Sequence, residues 1–327
     1  MSTKEITAPL PQTAFSFLNK LPRLKTGCPS IDTILSGGLP VCGINEICGE
    51  SAVGKTQLCF QLCCNAQLPL ECGGLNGYAC YISTEGPPHT GRLQEIASYV
   101  ANSQPFEVEW NLCDNILLST AGTSAELLQI IREKLPVLLQ IKEVKLIIID
   151  SLTSLIRHEF DQASTIARTN LLSETLSEQH QICVVCVNQV TSIFDEPPDE
   201  TKFLVRSLVE HYKDTQGQAF GHVYPTIEEF SRTKPSLGMA WAHLVTTRLF
   251  LTRTSHNVKI KIRTEIVEEE EGQITDIKKR KRTESTKTTV VEANSSVRRL
   301  SIVFSPHLRI ASASFIVTTN GIEDYMP

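Results

Sequence analysis

One octapeptide restricts the folds open to this chain more than any other feature. Residues 49–56 read GESAVGKT, a full match to G-x-x-x-x-G-K-[ST], between the apolar run Ile44–Cys48 and the helix-like run Gln57–Gln67. The glycines let the backbone turn tightly enough for successive amide N–H groups to face one anion. A helix opening at that point adds the partial positive charge of its N-terminus. Lys55 would carry charge to the β- and γ-phosphates of a nucleotide, and Thr56 a hydroxyl to Mg²⁺. The alternative is a chance glycine turn before a helix, and both flanks speak against it.

The surrounding chain has the texture such a loop needs. Tyr78–Ser83, Asn115–Ser119, Lys145–Asp150 and Ile182–Asn188 read as strands. Helical patterns at Arg92–Val100, Ser124–Gln140 and Ser164–Gln179 separate them. Strand runs apolar on both faces, alternating with helices, predict a parallel sheet covered on both sides. Four further β-like runs follow, His243–Thr252, Val258–Thr264, Arg298–Phe304 and Ser314–Thr318, and predict an antiparallel extension. The expected layout is a tail or linker over 1–22, one core over 23–321 and a short tail over 322–327. Within the core, 191–237 is too long for an ordinary connection and reads as functional. Glu265–Ser296 holds an acidic block and then KKRKR without aromatics, so disorder is expected there.

Composition removes several classes. With 31 basic against 36 acidic residues the net charge is −5, which excludes coating nucleic acid by bulk positive charge. No apolar run reaches the about 20 residues that span a bilayer, so no membrane role is expected. MSTKEITAPLPQTAF lacks an apolar leader core, and secretion is not expected. The eleven cysteines show no disulfide framework and read as reduced thiols. Cys183 and Cys186 form a lone C-x-x-C without a second pair, so buried thiols are expected rather than zinc.

A phosphate loop needs an acid at the end of a neighbouring strand. LIIID puts Asp150 there, suited to the Mg²⁺ shell; alone it would read as a cap for the next helix. Glu85, at the end of the second strand in YISTEG, is a candidate for polarising the attacking water, or else a solvated loop acid.

These residues, in this order, resemble the RecA/RadA family of recombination ATPases, in particular the eukaryotic strand-exchange recombinase and its paralogues. The likeness runs from LKTGCPSIDTILSGGLPVCGINEICGESAVGKTQ through YISTEG, LIIIDS and VNQV to PSLGMAWAHLVTTRLFLTR and RRLSIVFSPHLRIASASFIVTTNGI. SPHL and the tryptophan of GMAWAHL are most similar to the X-ray-repair cross-complementing paralogues. The resemblance implies a RecA-like P-loop ATPase core: an α/β fold with a mostly parallel twisted sheet, flanking helices and an antiparallel extension. It implies ATP and Mg²⁺ as cofactors. Gly49, Glu50, Ser51, Ala52, Val53, Gly54, Lys55, Thr56 and Gln57 would hold the nucleotide, with Thr56 and Asp150 at the metal. Glu85 would be the water-activating base and Gln189 the γ-phosphate sensor, with Lys55 completing the catalytic set. Arg92 matches an adenine-stacking arginine; a plain helix-surface arginine is the alternative.

The family's two DNA loops would correspond to Arg157–Arg168 and Thr191–Leu237. The second holds Phe194, Phe203, Tyr212, Phe220, Tyr224 and Phe230, as a base-stacking surface does, but also Asp195, Glu196, Asp199 and Glu200. Acid there opposes phosphate contact, so binding of single-stranded or branched DNA by this chain alone is expected to be weak.

Departures from the family pattern shape the functional expectation. The residues before Arg23 are too few for the family's helical DNA-binding domain, and Phe15 with Leu18 replaces its Phe-x-x-Ala plug. Phe304 and Arg309 stand where the family has an acid that caps a neighbour's ATP. The expectation is an accessory subunit in homologous-recombination repair of double-strand breaks. It would pair with another recombinase paralogue and help the strand-exchange recombinase assemble on single-stranded DNA, with weak DNA-stimulated ATP hydrolysis. The alternative is a self-sufficient strand-exchange ATPase. KKRKR at Lys278–Arg282 predicts a nuclear location, with some protein in the cytoplasm.

Overall fold

The strand that precedes the phosphate loop, Ile44–Gly49, is buried along its whole length, which requires sheet neighbours on both edges and helices on both faces. The computed structural model supplies both. It describes residues 22–156, 182–192, 233–237, 241–267 and 286–325.

In chain order the strands are β1 (Arg23–Leu24), β2 (Leu39–Pro40), β3 (Ile44–Gly49), β4 (Tyr78–Ser83), β5 (Ile116–Thr120), β6 (Val144–Asp150), β7 (Cys183–Asn188), β8 (Val190–Ser192), β9 (Thr233–Pro235), β10 (Val245–Val267), β11 (Thr286–Phe304), β12 (Ser312–Thr318) and β13 (Gly321–Asp324). Nine of them form one sheet in the order β13-β12-β11-β10-β3-β7-β6-β4-β5. From β10 through β3 to β5 the pairings are parallel; β10-β11, β11-β12 and β12-β13 are antiparallel. The sheet is therefore mostly parallel with an antiparallel extension, as expected.

Alternate residues of the inner strands feed two separate cores. Ile47, Ile148 and Val185 pack with Leu58 and Leu62 of helix α2 (Lys55–Asn65) and with Leu93 and Ile96 of helix α3 (Thr90–Asn102). Ile44, Ile147, Ile149 and Val184 pack on the other face with Leu127, Ile131 and Trp241. Helix α2 is lined with buried residues almost all round because it is wedged between the sheet and α3. Ser124–Gln140, expected as one helix, is helical throughout and on to Ile141, but carries a π turn at Ile130–Lys134 just before Pro136. Pro136 has no N–H to donate, so the ladder must adjust around it.

Three expectations about the layout need correction. The runs expected at His243–Thr252 and Val258–Thr264 fall, from Val245 on, in one strand, β10, whose pairing with β11 shifts register at Arg248/Leu249 and Arg253/Asn257. Disorder expected over Glu265–Ser296 does not hold at the ends, since β10 runs to Val267 and β11 begins at Thr286. High charge there was read as the mark of an unpaired segment, whereas the two strands pair with each other from Val267↔Thr286 inward. KKRKR lies outside the described residues.

The expected tail at 322–327 is also structured as far as Tyr325, with β13 pairing on β12. The Asp324 carboxylate accepts from Ser30 N–H at 3.0 Å, from Ser30 Oγ at 2.6 Å and from Cys28 Sγ at 2.7 Å. Burial, then the bond to Asp324, pushes the Cys28 thiol up to about 12, so it remains a donor. Asp324 thus tethers β13 to the short helix α1 (Pro29–Ile34). Asp324→Ala is expected to lower the stability of the chain by about 1–3 kcal/mol, read from its denaturation midpoint. A midpoint equal to that of wild type would mean that the tether is dispensable.

Candidate functional site

Parallel strands place their carboxyl ends on one edge, and open α/β sheets bind ligands in the crevice outside that edge. Here the order β3-β7-β6-β4 brings together Gly49 at the end of β3, Gln189 after β7, Asp150 closing β6 and Glu85 after β4. Residues as far apart in the chain as Ser51 and Gln189 thus line one crevice of about 340 Å³.

The loop closes as its glycines demand. A side chain at Gly49 would put a Cβ 2.5 Å from the Leu251 carbonyl oxygen, so the approach of β10 requires glycine. Gly54 sits at φ 105°, and Ala52 at φ 59° also takes the left-handed turn. Lys55 is 9% exposed, and its ammonium donates to the Gly49 carbonyl at 2.8 Å and the Glu50 carbonyl at 2.6 Å. Burial pushes this ammonium below its ordinary value, while the carboxylates of Asp150 and Glu85 pull the other way. A desolvated cation held only by carbonyl oxygens favours an incoming anion.

Thr56 donates its hydroxyl to Asp150 Oδ2 at 2.7 Å, and Tyr81 donates to the same oxygen at 2.8 Å. Burial raises the Asp150 carboxyl above its ordinary value, opposed by those two hydrogen bonds, and the Glu85 charge adds to the rise. Such a carboxyl gains from a cation nearby. On the opposite wall, Glu85 Oε1 accepts from Ser151 Oγ at 2.7 Å and from Gln189 Nε2 at 2.9 Å. An acid suited to activating water and an amide suited to sensing a phosphate are therefore already in contact.

Of the residues expected to hold the nucleotide, Ser51, Ala52, Gly54, Lys55, Thr56 and Gln57 line the crevice. Val53 instead turns into the core at 1% exposure, and Gly49 and Glu50 take part through the carbonyls that hold Lys55. Arg92 lies in an adjoining pocket of about 460 Å³. Its guanidinium is tied to Gln57 Oε1 at 2.7 Å, to the carbonyls of Thr318 and Thr319 at 2.6 and 2.5 Å, and to Glu95 at 2.6 Å. Sequence reasoning missed Tyr81, Ser151, Arg298 and Val317, all of which reach the site. Arg298 and Val317 come from the antiparallel extension, and no local pattern marks either of them.

Gln189 also borders the long segment expected to meet DNA. β8 and β9 pair Val190↔Pro235, Thr191↔Lys234 and Ser192↔Thr233, closing that segment at its base. Ser236 N–H donates to the Gln189 carbonyl at 3.0 Å, and the hydroxyls of Thr191 and Ser236 meet at 2.7 Å. The aromatics and acids of residues 193–232, and Arg157–Arg168, lie outside the described residues.

The eleven cysteines are free thiols, Cys183 and Cys186 among them. Among the described residues no three His, Cys, Asp or Glu side chains group as a metal cage, and no helix is long and apolar enough to cross a membrane. Phe304 is exposed at the end of β11, and Arg309 is exposed in the turn after it.

A family model described as Rad51 matches residues 19–211. The DNA repair protein XRCC3 homolog of Arabidopsis thaliana is 30% identical over 92% of this chain and 92% of its own. The DNA repair protein XRCC3 of Mus musculus is 30% identical over 94% of this chain and 76% of its own. The DNA repair and recombination protein RadA of Metallosphaera sedula is 34% identical over 51% of this chain and 52% of its own.

Proposed function

Because the chain belongs to the Rad51 family, we propose that its crevice binds ATP with Mg²⁺ and that the protein serves DNA repair by homologous recombination. The observation that carries the reading is the convergence on one crevice of Lys55, the Thr56–Asp150 pair and the Glu85–Gln189 pair.

Each side chain has a task it is built for. Lys55 exchanges its two carbonyl partners for phosphate oxygens. Thr56 and Asp150 would hold Mg²⁺, which supplies neutralisation of the phosphate charge. Glu85 orients and deprotonates the attacking water. Gln189 exchanges Glu85 for a phosphate oxygen, and its backbone carries the change to the β8–β9 pair. An order change in the segment beyond that pair is the kind of response nucleotide switches use.

The protein acts as an accessory subunit, joined to another recombinase paralogue, and promotes assembly of the strand-exchange recombinase on single-stranded DNA. Phe304 and Arg309, in place of an acid, support a hetero-oligomer over an unlimited filament of identical subunits. Its own DNA binding is weak, its ATP turnover slow, and its place mainly the nucleus.

Two measurements test this. Affinity purification of the chain from its own cells should bring a second recombinase paralogue, more with ATP than without nucleotide. Single-turnover ATP hydrolysis by that complex should fall about 100-fold or more in Glu85→Gln, the size of effect expected from losing a positioned base. Equal rates in the two proteins would remove Glu85 from the chemistry. Strand exchange by the purified chain alone would replace the accessory role with a self-sufficient one.

A further inference from the structure

Two arginines at the mouth of the crevice have no place in the scheme above. Arg253 and Arg298 are direct cross-strand partners in β10 and β11. Like charges opposed in this way are destabilising, so such a pair needs a third group of opposite sign. Among the described residues no carboxylate pairs with either of them.

Their contacts point to the phosphate loop. Arg253 donates from Nη2 to the Ala52 carbonyl at 3.0 Å, at the crown of that loop. The Arg298 stem passes over its last glycine: a Cβ built on Gly54 would lie 3.8 Å from Arg298 Cδ. Arg298 Nη1 reaches the Ser296 carbonyl at 3.2 Å, while its buried Nε has no partner. Burial and the neighbouring charge of Arg253 both push the Arg298 guanidinium below its ordinary value. An anion placed there relieves both.

The location selects the anion. The crevice holding Lys55 and the pocket holding Arg92 share Gln57, Arg298 and Val317. A nucleoside triphosphate with its terminal phosphates at Lys55 and its nucleoside in the second pocket passes its α-phosphate across that shared wall. We propose that Arg298, backed by Arg253, is the α-phosphate ligand of the bound nucleotide, supplied by the chain's own antiparallel extension. This rests on the nucleotide reading of the crevice. The extension thereby becomes part of the binding site, and nucleotide occupancy also braces β10 against β11.

The experiment is equilibrium binding of ATP, ADP, AMP and adenosine to the purified full chain, or to its complex if it purifies as one. Arg298→Gln is expected to raise Kd for ATP and ADP by the same factor, about tenfold or more, because the α-phosphate is common to both. Adenosine affinity should not change, and Arg298→Lys should recover part of the loss. Unchanged ADP affinity in Arg298→Gln overturns the proposal, all the more if the variant loses an acidic protein partner instead. Should Arg298→Gln not fold, the wild-type chain decides, since it must hold AMP about tenfold more tightly than adenosine, and equal affinities overturn the assignment. A wild-type chain that binds no nucleotide at all refutes the underlying reading, and the inference with it.

Discussion

Lys55→Ala is expected to weaken ATP binding by about 100-fold or more while leaving the fold intact. Two charge-assisted hydrogen bonds are at stake, each worth about 1.5–3 kcal/mol when made to a charged group. The ammonium now rests on the carbonyls of Gly49 and Glu50, in a position where burial disfavours its charge. Its removal therefore relieves a desolvated cation in the nucleotide-free chain. The thermal midpoint should stay within about 3 °C of wild type, a shift on the order of 1 kcal/mol or less for a chain of this size. ATP-dependent recovery of the partner paralogue should disappear with ATP affinity. An ATP affinity within threefold of wild type would sink the phosphate-loop assignment.

Glu46→Ala is expected to produce the largest loss of stability, about 3–5 kcal/mol, the usual result of breaking a buried ion pair from one side. Glu46 is fully buried in the middle of β3. It accepts from Asn188 Nδ2 and Trp241 Nε1, both at 2.7 Å, and pairs with the Arg248 guanidinium beside it on β10. Without the carboxylate, the Arg248 guanidinium and two buried N–H donors lose their acceptor. Exchanging Glu46 and Arg248 together for apolar residues of similar volume should cost less than Glu46→Ala alone. Denaturant unfolding of the three proteins checks this; a Glu46→Ala midpoint corresponding to less than 1 kcal/mol of loss would show that water or another group satisfies the donors.

The same network reaches the site. Asn188 accepts from Thr153 Oγ1 at 2.7 Å, and that hydroxyl accepts the Gln189 N–H at 2.9 Å. The backbone of Gln189 is thus held through a continuous line of polar groups ending at Arg248. Glu46→Ala should therefore also blunt any difference that ATP makes to partner binding, beyond its effect on stability.

How much of this was readable in the chain depends on the range of the interactions. The parallel core and the phosphate loop were legible because each rests on local pattern: apolar runs, glycine positions and a helix opening at Lys55. Asp150 and Glu85 could be singled out because one closes an apolar strand and the other follows one, and the sheet order brings those strand ends together. Glu46 escaped notice inside INEICG because its partners lie 142 to 202 positions away. Arg298 looked like an ordinary strand residue, and only its register opposite Arg253 gives it meaning. The continuation of β10 and β11 was hidden for a different reason. The acidic run and KKRKR between them dominate the composition of Glu265–Ser296, although Val258, Ile260, Ile262 and Ile266 do alternate along β10. The short helix at Pro29–Ile34 did carry a signal, with a proline in its first turn and an acid close behind.

The β8–β9 pairing ties the chain at Ser192 to the chain at Thr233 right beside Gln189. Between two chain points fixed in this manner, doubling the number of intervening residues adds only about 0.6 kcal/mol of closure entropy. The length and sequence of the stretch between Ser192 and Thr233 can therefore change without disturbing the crevice beside Gln189. A protease cut within that stretch would leave the knot tied, whereas a proline at Thr191, opposite Lys234, would undo it.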